Sequence, residues 1–144
     1  YFELNLFMSA IRLATWNVNS IKVRLPHLLQ WLAAQDAMKA PIDALCLQEL
    51  KLTEDKFPFA ELEAAGYYSL VAGQKTYNGV AILLRKASLA AIAQDVNTAF
   101  LSPIKNNPKF ADEQQRLLAA TVAFNGSRLS SKKNSTSSPN LFPV

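Results

Sequence analysis

Two stretches, Ala14-Thr-Trp-Asn-Val-Asn-Ser20 and Ala44-Leu-Cys-Leu-Gln-Glu-Leu-Lys51, decide how this chain folds. Each begins as a short apolar run of the kind that forms a buried strand, and each stops abruptly on polar residues. The first run ends at Asn17 and the second at Glu49. The relation between these two ends therefore depends on how the two strands are connected.

The segment between the two runs has the apolar spacing of a helix. Four leucines fall on one helical face, at Leu25, Leu28, Leu29 and Leu32. We expect Pro26 to lie in the first turn, where a missing amide hydrogen costs little. A strand over 11–16, this helix and a strand over 43–48 make a β-α-β unit, whose two strands normally run parallel.

The rest of the chain predicts a second helix, a hairpin and a late strand. We place the helix over 58–65, the two hairpin strands over 67–72 and 80–85, and the late strand over 117–124. Between them, residues 86–115 contain only a weak strand pattern and a loop rich in proline and asparagine around Pro103. This order predicts an α/β fold with a mixed sheet and outer helices.

Asn17 and Glu49 are candidate ligands of a metal ion. The carboxyl ends of parallel strands meet at one edge of a sheet, where ligands commonly bind. A carboxylate and a carboxamide suit Mg²⁺, which takes few protein ligands and completes its shell with water and phosphate oxygens. Taken singly, Glu49 is better explained as a strand terminator and Asn17 as a turn residue. Taken as a pair at two parallel strand ends, they leave the structural and the metal-binding interpretations equally open.

Together with a third stretch, Gly73-Gln-Lys-Thr-Tyr-Asn-Gly-Val-Ala-Ile82, the two runs resemble the exodeoxyribonuclease III family of abasic-site DNA repair nucleases. The resemblance implies the N-terminal half of a four-layer α/β sandwich of the DNase I type. It also implies Mg²⁺, with Mn²⁺ as the alternative ion, bound by Asn17 and Glu49. The resemblance further implies that Gln48 is a polar residue of the active-site pocket, next to the metal-binding positions.

The third stretch contains the residues expected to contact DNA. By itself it is a tight hairpin whose glycines need no other explanation. Its tip carries Lys75, Tyr77 and Asn78, and a cation, an aromatic ring and an amide are groups that contact phosphate and sugar in nucleic-acid interfaces. The resemblance implies that this loop binds DNA with abasic sites or 3′ ends, with Tyr77 at the family's matching position.

Four further residues have structural interpretations beside functional ones. Lys22 and Arg24 are expected in a loop after the first strand, where they could attract phosphate, although charged residues near a helix start are more often solvated. Arg116 matches a family arginine, and a purely structural role is the alternative. His27, the single histidine, matches no family position and is expected on the helix surface.

The family's catalytic residues are missing from this chain. The resemblance implies that a tyrosine, an Asp-x-Asn motif and an Asp-His pair activate water and stabilise the leaving oxygen. No tyrosine follows Tyr77, no aspartate follows Asp112, and neither motif occurs after the late strand. We therefore expect a truncated form with no catalytic residues. The alternatives are a non-catalytic fragment that binds metal or DNA weakly, or another phosphoesterase of the same fold.

Half of a sandwich should have an incomplete core. A missing second sheet would leave one face of the remaining sheet open and apolar, beside an unpaired edge. We therefore expect poor solubility or partner-dependent folding.

The composition fits one domain between two flanking segments. A chain of 144 residues, half of them hydrophobic, can form one core. We predict an N-terminal extension over 1–10, a partial endonuclease/exonuclease/phosphatase domain over 11–125, and a disordered tail over 126–144. The tail is serine-rich and holds three of the four net positive charges. Overall basicity therefore says little about DNA binding by the domain.

The single cysteine and the hydropathy indicate a cellular location. Cys46 lies within an apolar run and has no disulfide partner, so we predict a core residue in a reducing compartment. No apolar stretch approaches the length needed to span a bilayer. We expect a cytoplasmic protein without membrane contact. The sequence gives no indication of the oligomeric state.

Overall fold

The computed structural model describes residues 10–90, the backbone of 101–105, and residues 114–125. The helices and strands of these ranges are, in chain order, β1 (Leu13–Asn17), α1 (Ile21–Ala37), β2 (Ala44–Gln48), α2 (Phe59–Ala64), β3 (Tyr67–Ala72), β4 (Val80–Arg85), β5 (Leu101–Lys105) and β6 (Leu118–Thr121). The predicted extension, apart from Ala10, and the predicted tail over 126–144 lie outside the described residues.

A mixed four-stranded sheet forms the centre of the fold, with the strand order β1-β2-β4-β3. β1 and β2 run parallel, and their register pairs Asn17 with Gln48. β4 runs antiparallel to both β2 and β3, while β5 and β6 form a separate antiparallel pair. The predicted α/β fold with a mixed sheet is confirmed. The parallel pair places the ends of β1 and β2 at the same edge of the sheet.

The main hydrophobic core lies between one face of this sheet and the two helices. It contains leucines from both helices and both central strands, namely Leu28, Leu32, Leu45, Leu47, Leu62 and Leu83. Each is 2% exposed or less, and full burial of such a side chain contributes about 1.5–3 kcal/mol. The leucine spacing predicted for the first helix therefore does identify its buried face.

The described residues cover the other side of the sheet only in part. We call the surface formed by Leu13, Thr15, Asn17, Cys46 and Gln48 the open face. Residues 122–124 pack near Leu84, farther along this side of the sheet. The prediction of a buried cysteine is wrong, because Cys46 is exposed. Its neighbours Leu45 and Leu47 occupy the core face, and successive residues of a strand point to opposite faces.

The first helix begins earlier than the leucine spacing indicated. It starts at Ile21, which is fully buried and anchors that end. Pro26 therefore lies in the second turn instead of the first. Lys22 and Arg24 belong to the helix and not to a loop. His27 is exposed on α1, as expected for a residue of the helix surface.

The region around Pro103 also differs from the prediction, because it lies in β5 and not in a loop. The register against β6 shifts between Leu101 and Ile104. Proline has no amide hydrogen to donate to a strand ladder, and a bulge is one of the places where a sheet tolerates it. No helix within the described ranges is long and apolar enough to cross a membrane.

Replacing Tyr67 by phenylalanine should lower the free energy of unfolding by about 1 kcal/mol, the usual contribution of one hydrogen bond. Tyr67 is 2% exposed, and its hydroxyl donates to the carbonyl oxygen of Ile42 at 2.8 Å. Urea denaturation measures the change. The matched control is Tyr77→Phe, at a position 67% exposed. Equal unfolding midpoints for the two variants would contradict a role for this bond.

The same hydroxyl makes stability depend on alkaline pH. Burial raises the pKa of Tyr67 to about 12, and the negative charge of Asp36 adds to the shift. Because the folded state favours the neutral phenol, the stabilisation by the Tyr67 hydroxyl is constant below about pH 10, the ordinary tyrosine pKa. This stabilisation is lost as the pH rises through the pKa of Tyr67 in the folded state. Wild type should therefore lose stability faster than Tyr67→Phe between these limits.

Candidate metal and nucleic-acid site

The loops that follow β1 and β2 are joined by backbone hydrogen bonds. The amide of Val18 donates to the carbonyl oxygen of Gln48 at 3.0 Å, and the amide of Ser20 donates to that of Glu49 at 2.8 Å. These bonds continue the contact between the two chain segments beyond the ends of the strands. They hold the segment that carries Asn17 beside the segment that carries Glu49.

The loop between β3 and β4 closes against the same segment. The amide of Leu50 donates to the carbonyl oxygen of Gly79 at 3.2 Å, and that of Lys51 donates to Asn78 at 3.0 Å. Gly79 has a φ of +84°, and a Cβ there would lie 3.0 Å from the Cβ of Leu50. A larger residue would therefore push this loop away from Glu49.

Left-handed backbone conformations are concentrated at this edge of the sheet. Of the seven non-glycine residues with positive φ in the described part of the chain, six belong to these three loops, namely Asn19, Ser20, Glu49, Lys51, Thr76 and Asn78. Each such conformation costs about 1–3 kcal/mol and persists only where the surrounding structure enforces it. Such strain is common at binding sites, and here it includes Glu49 and Asn78, two residues that the sequence singled out.

A pocket of about 260 Å³ opens between these loops. Its lining includes Gln48, Glu49, Asn78, Gln115 and Arg116. Three residues predicted from the sequence are thus brought together, and Arg116 joins them from the segment before β6. Within the described residues, the half-buried carboxylate of Glu49 makes no hydrogen bond or ion pair, so its oxygens are available to a ligand.

Asn17 lies next to this pocket without lining it. Its strand register places it opposite Gln48, one residue before Glu49. Its side-chain oxygen accepts a hydrogen bond from the amide of Asn19 at 3.1 Å. The side-chain oxygen of Asn19 in turn accepts one from the ammonium group of Lys51. The Asn17 oxygen is thereby oriented, and its second lone pair remains available to a ligand.

The donor set fits Mg²⁺ better than a metal that needs many protein ligands. In the described ranges, no group of three or more histidine, cysteine, aspartate or glutamate side chains could hold an ion. Zinc sites use three or four such ligands, and calcium uses six to eight oxygens. One carboxylate and one amide oxygen are sufficient for Mg²⁺, because water and phosphate oxygens fill its remaining positions.

The other predicted residues lie around the pocket in different ways. The Gln48 side-chain amide donates to the hydroxyl of Thr15 at 2.9 Å, which fixes it on the open face. Lys75 and Tyr77 are exposed at the tip of the hairpin and do not line the pocket. Lys22 lines a different groove, near α2. The site therefore has an inner pocket and an exposed hairpin tip.

Sequence reasoning did not identify four residues that hold the site together. Asn19 and Lys51 each lie two positions after a candidate ligand, and this shared spacing was a signal that could have been used. Gln74 and Gln115 are joined by a hydrogen bond across 41 positions of sequence. A contact between residues so far apart leaves no local pattern.

The sequence profile of the Endonuclease/Exonuclease/phosphatase family matches residues 14–130, which is most of the chain. The chain belongs to this family.

Several known proteins are similar to this chain over a part of their length. Exodeoxyribonuclease III of Haemophilus influenzae is 32% identical over 76 residues, which is 53% of this chain and 27% of that protein. The 3′ phosphatase NExo from Neisseria, solved with a product DNA hairpin, is 43% identical with a TM-score of 0.63, covering 78% of this chain and 38% of that one. An AP endonuclease from Archaeoglobus fulgidus is 32% identical with a TM-score of 0.58, covering 79% and 38%.

These relatives confirm the resemblance to the exodeoxyribonuclease III family. The chain spans 27% of the curated relative and 38% of each of the two solved structures. The match to these relatives therefore concerns only a part of each of them. All the loops of the pocket lie within residues 14–130, which the family profile matches.

Proposed function

We propose that this chain forms the metal-binding part of a Mg²⁺-dependent DNA repair nuclease of the exodeoxyribonuclease III type. Its substrate would be DNA with an abasic site or a 3′ end. The observation that carries the proposal is the pocket at the end of β2 and the start of β4, where Glu49 lies with Arg116. Among the described residues, the carboxylate of Glu49 makes no hydrogen bond or ion pair. Two solved relatives, a 3′ phosphatase bound to a DNA hairpin and an AP endonuclease, support this substrate class.

In this proposal the two predicted ligands hold the cation. Glu49 would supply one carboxylate oxygen and Asn17 its oriented amide oxygen. Mn²⁺ could take the same place, since it also accepts carboxylate and carbonyl oxygens. A bound ion of this kind polarises a phosphoryl oxygen and offsets the charge that develops on it.

Other residues would bind and orient the DNA. Arg116 lines the pocket, and a guanidinium group can donate two parallel hydrogen bonds to a phosphate. Asn78 lines the same pocket and offers an amide. Lys75 and Tyr77, exposed beyond it, would contact the phosphate and sugar backbone, which fixes register without reading sequence.

Turnover would need a group that activates water. Among the described residues, the pocket lining has no carboxylate besides Glu49, and no histidine or tyrosine. We propose that this pocket alone binds the substrate without cleaving it efficiently. Since the one cysteine of the chain has no partner, we place the protein in a reducing cytoplasm.

The experiment compares binding and cleavage by the whole chain. Fluorescence anisotropy with an abasic-site duplex, an intact duplex and a phosphoinositide headgroup is measured in Mg²⁺ and in EDTA. We expect Mg²⁺ to tighten abasic-site binding by about tenfold, equivalent to 1.4 kcal/mol, with little or no cleavage on a gel. A folded chain that binds no DNA, or that prefers the phosphoinositide, would contradict the proposal.

A further inference from the structure

Gln74 forms a polar connection between two distant parts of the chain. Its side-chain oxygen accepts a hydrogen bond from the backbone amide of Gln115 at 2.8 Å. The same oxygen is 3.4 Å from the side-chain nitrogen of Asn78, which donates to it. One half-buried amide of the β3–β4 loop therefore contacts both the segment before β6 and a residue of the pocket.

Gln115 is held from its other side as well. Its carbonyl oxygen accepts a hydrogen bond from the amide of Gly79 at 3.1 Å, and the carbonyl oxygen of Gly79 accepts one from Leu50 at 3.2 Å. Leu50 directly follows Glu49. A continuous set of hydrogen bonds thus runs from Gln74 through Gln115 and Gly79 to the loop that carries the candidate metal ligand.

This arrangement contributes to the position of Arg116. Residues 115–117 have no regular secondary structure, so no helix or strand ladder sets their position. The two hydrogen bonds on the peptide groups of Gln115 fix the residue immediately before Arg116. A flexible, exposed arginine would lose considerable entropy on binding a phosphate, and a fixed backbone reduces that loss.

We propose that Gln74 is a positioning residue, whose side-chain oxygen holds the 115–116 segment so that Arg116 faces the Glu49 pocket and binds a DNA phosphate there. This inference rests on the proposed function and extends it to a residue outside the pocket lining. A purely structural role for Gln74 would stabilise the loop without affecting DNA binding through Arg116.

The first test measures the position of the segment without DNA. Hydrogen exchange of the Gln115 amide, followed by NMR, is compared among wild type, Gln74→Met and Gln74→Glu. Methionine keeps the size of the side chain but removes the acceptor, so exchange should be about fivefold faster or more. Glutamate retains an acceptor oxygen and should preserve the protection. Unchanged exchange in Gln74→Met would overturn the positioning role.

The second test is a double-mutant cycle on DNA binding. Gln74→Met should weaken binding of the abasic-site duplex about fivefold in wild type and have no further effect in an Arg116→Met background, because the two changes remove one interaction. Gln30→Met, on the exposed surface of α1, is the control. Additive losses would overturn the link to Arg116. If wild type binds no DNA, the proposed function fails, while the exchange result still decides whether Gln74 fixes the segment.

Discussion

Replacing Glu49 by glutamine should remove the metal site and leave the fold intact. Among the residues that the structure describes, Glu49 is the only carboxylate in the pocket lining, and an amide is a much weaker ligand for a hard cation. We expect Mn²⁺ affinity, measured by electron paramagnetic resonance, to fall by at least about 100-fold. Removal of a residue that only hydrogen-bonds to a metal ligand already lowers metal affinity by about 10- to 100-fold. Mg²⁺-dependent binding of DNA should disappear with it.

The matched control is Glu61→Gln, at an exposed position of α2, which should bind Mn²⁺ as wild type does. In EDTA, the free energy of unfolding of both variants should lie within about 0.5 kcal/mol of the wild-type value, because neither substitution removes a packing contact or a hydrogen bond. Unchanged Mn²⁺ affinity in Glu49→Gln would contradict the metal assignment. Asn17→Ala should have a smaller effect than Glu49→Gln, because a neutral ligand contributes less charge stabilisation.

Replacing Leu13 by lysine should markedly improve the solubility of the chain. Leu13 is 71% exposed on β1, one of the two edge strands of the four-stranded sheet. An exposed apolar edge strand is a template for pairing with other chains, and an edge lysine opposes that pairing. We expect the protein concentration at the onset of light scattering to be about threefold higher or more in the variant. Its free energy of unfolding should lie within about 0.5 kcal/mol of the wild-type value.

A second lysine variant separates edge protection from a general effect of charge. Val23→Lys adds the same charge at another apolar position, 56% exposed, but on α1 instead of a strand edge. Its aggregation threshold should change little. Equal improvement in both variants would mean that net charge, and not the open edge, controls solubility.

The parts of the fold with strong local signals were predictable from sequence. The hairpin strands have the predicted bounds, 67–72 and 80–85, because turn residues and alternating apolar residues define them together. The parallel relation of β1 and β2 followed from one intervening helix. The parallel relation of the two strands was sufficient to predict that Asn17 and Glu49 lie at the same edge of the sheet.

Features that depend on tertiary packing were not predictable in the same way. Alternation along a strand places Leu45 and Leu47 on the face opposite to Cys46, but it could not tell that the side of the sheet with Cys46 would leave this cysteine exposed. The start of α1 is set by the burial of Ile21 against the core, and not by the leucine spacing. The bond from Gln115 to Gln74 was likewise invisible, because it joins residues that are close only after folding.

The pocket is assembled from residues far apart along the chain, and this affects when it can exist during synthesis. Glu49 leaves the ribosome well before Asn78, and Arg116 follows later still. Contacts between such distant residues form late in folding, because the intervening chain must first be ordered. A nascent chain would therefore offer neither a complete cation site nor a phosphate-binding arginine until the hairpin and the segment before β6 had both docked. Ligand recognition would then be acquired in one of the last steps of folding.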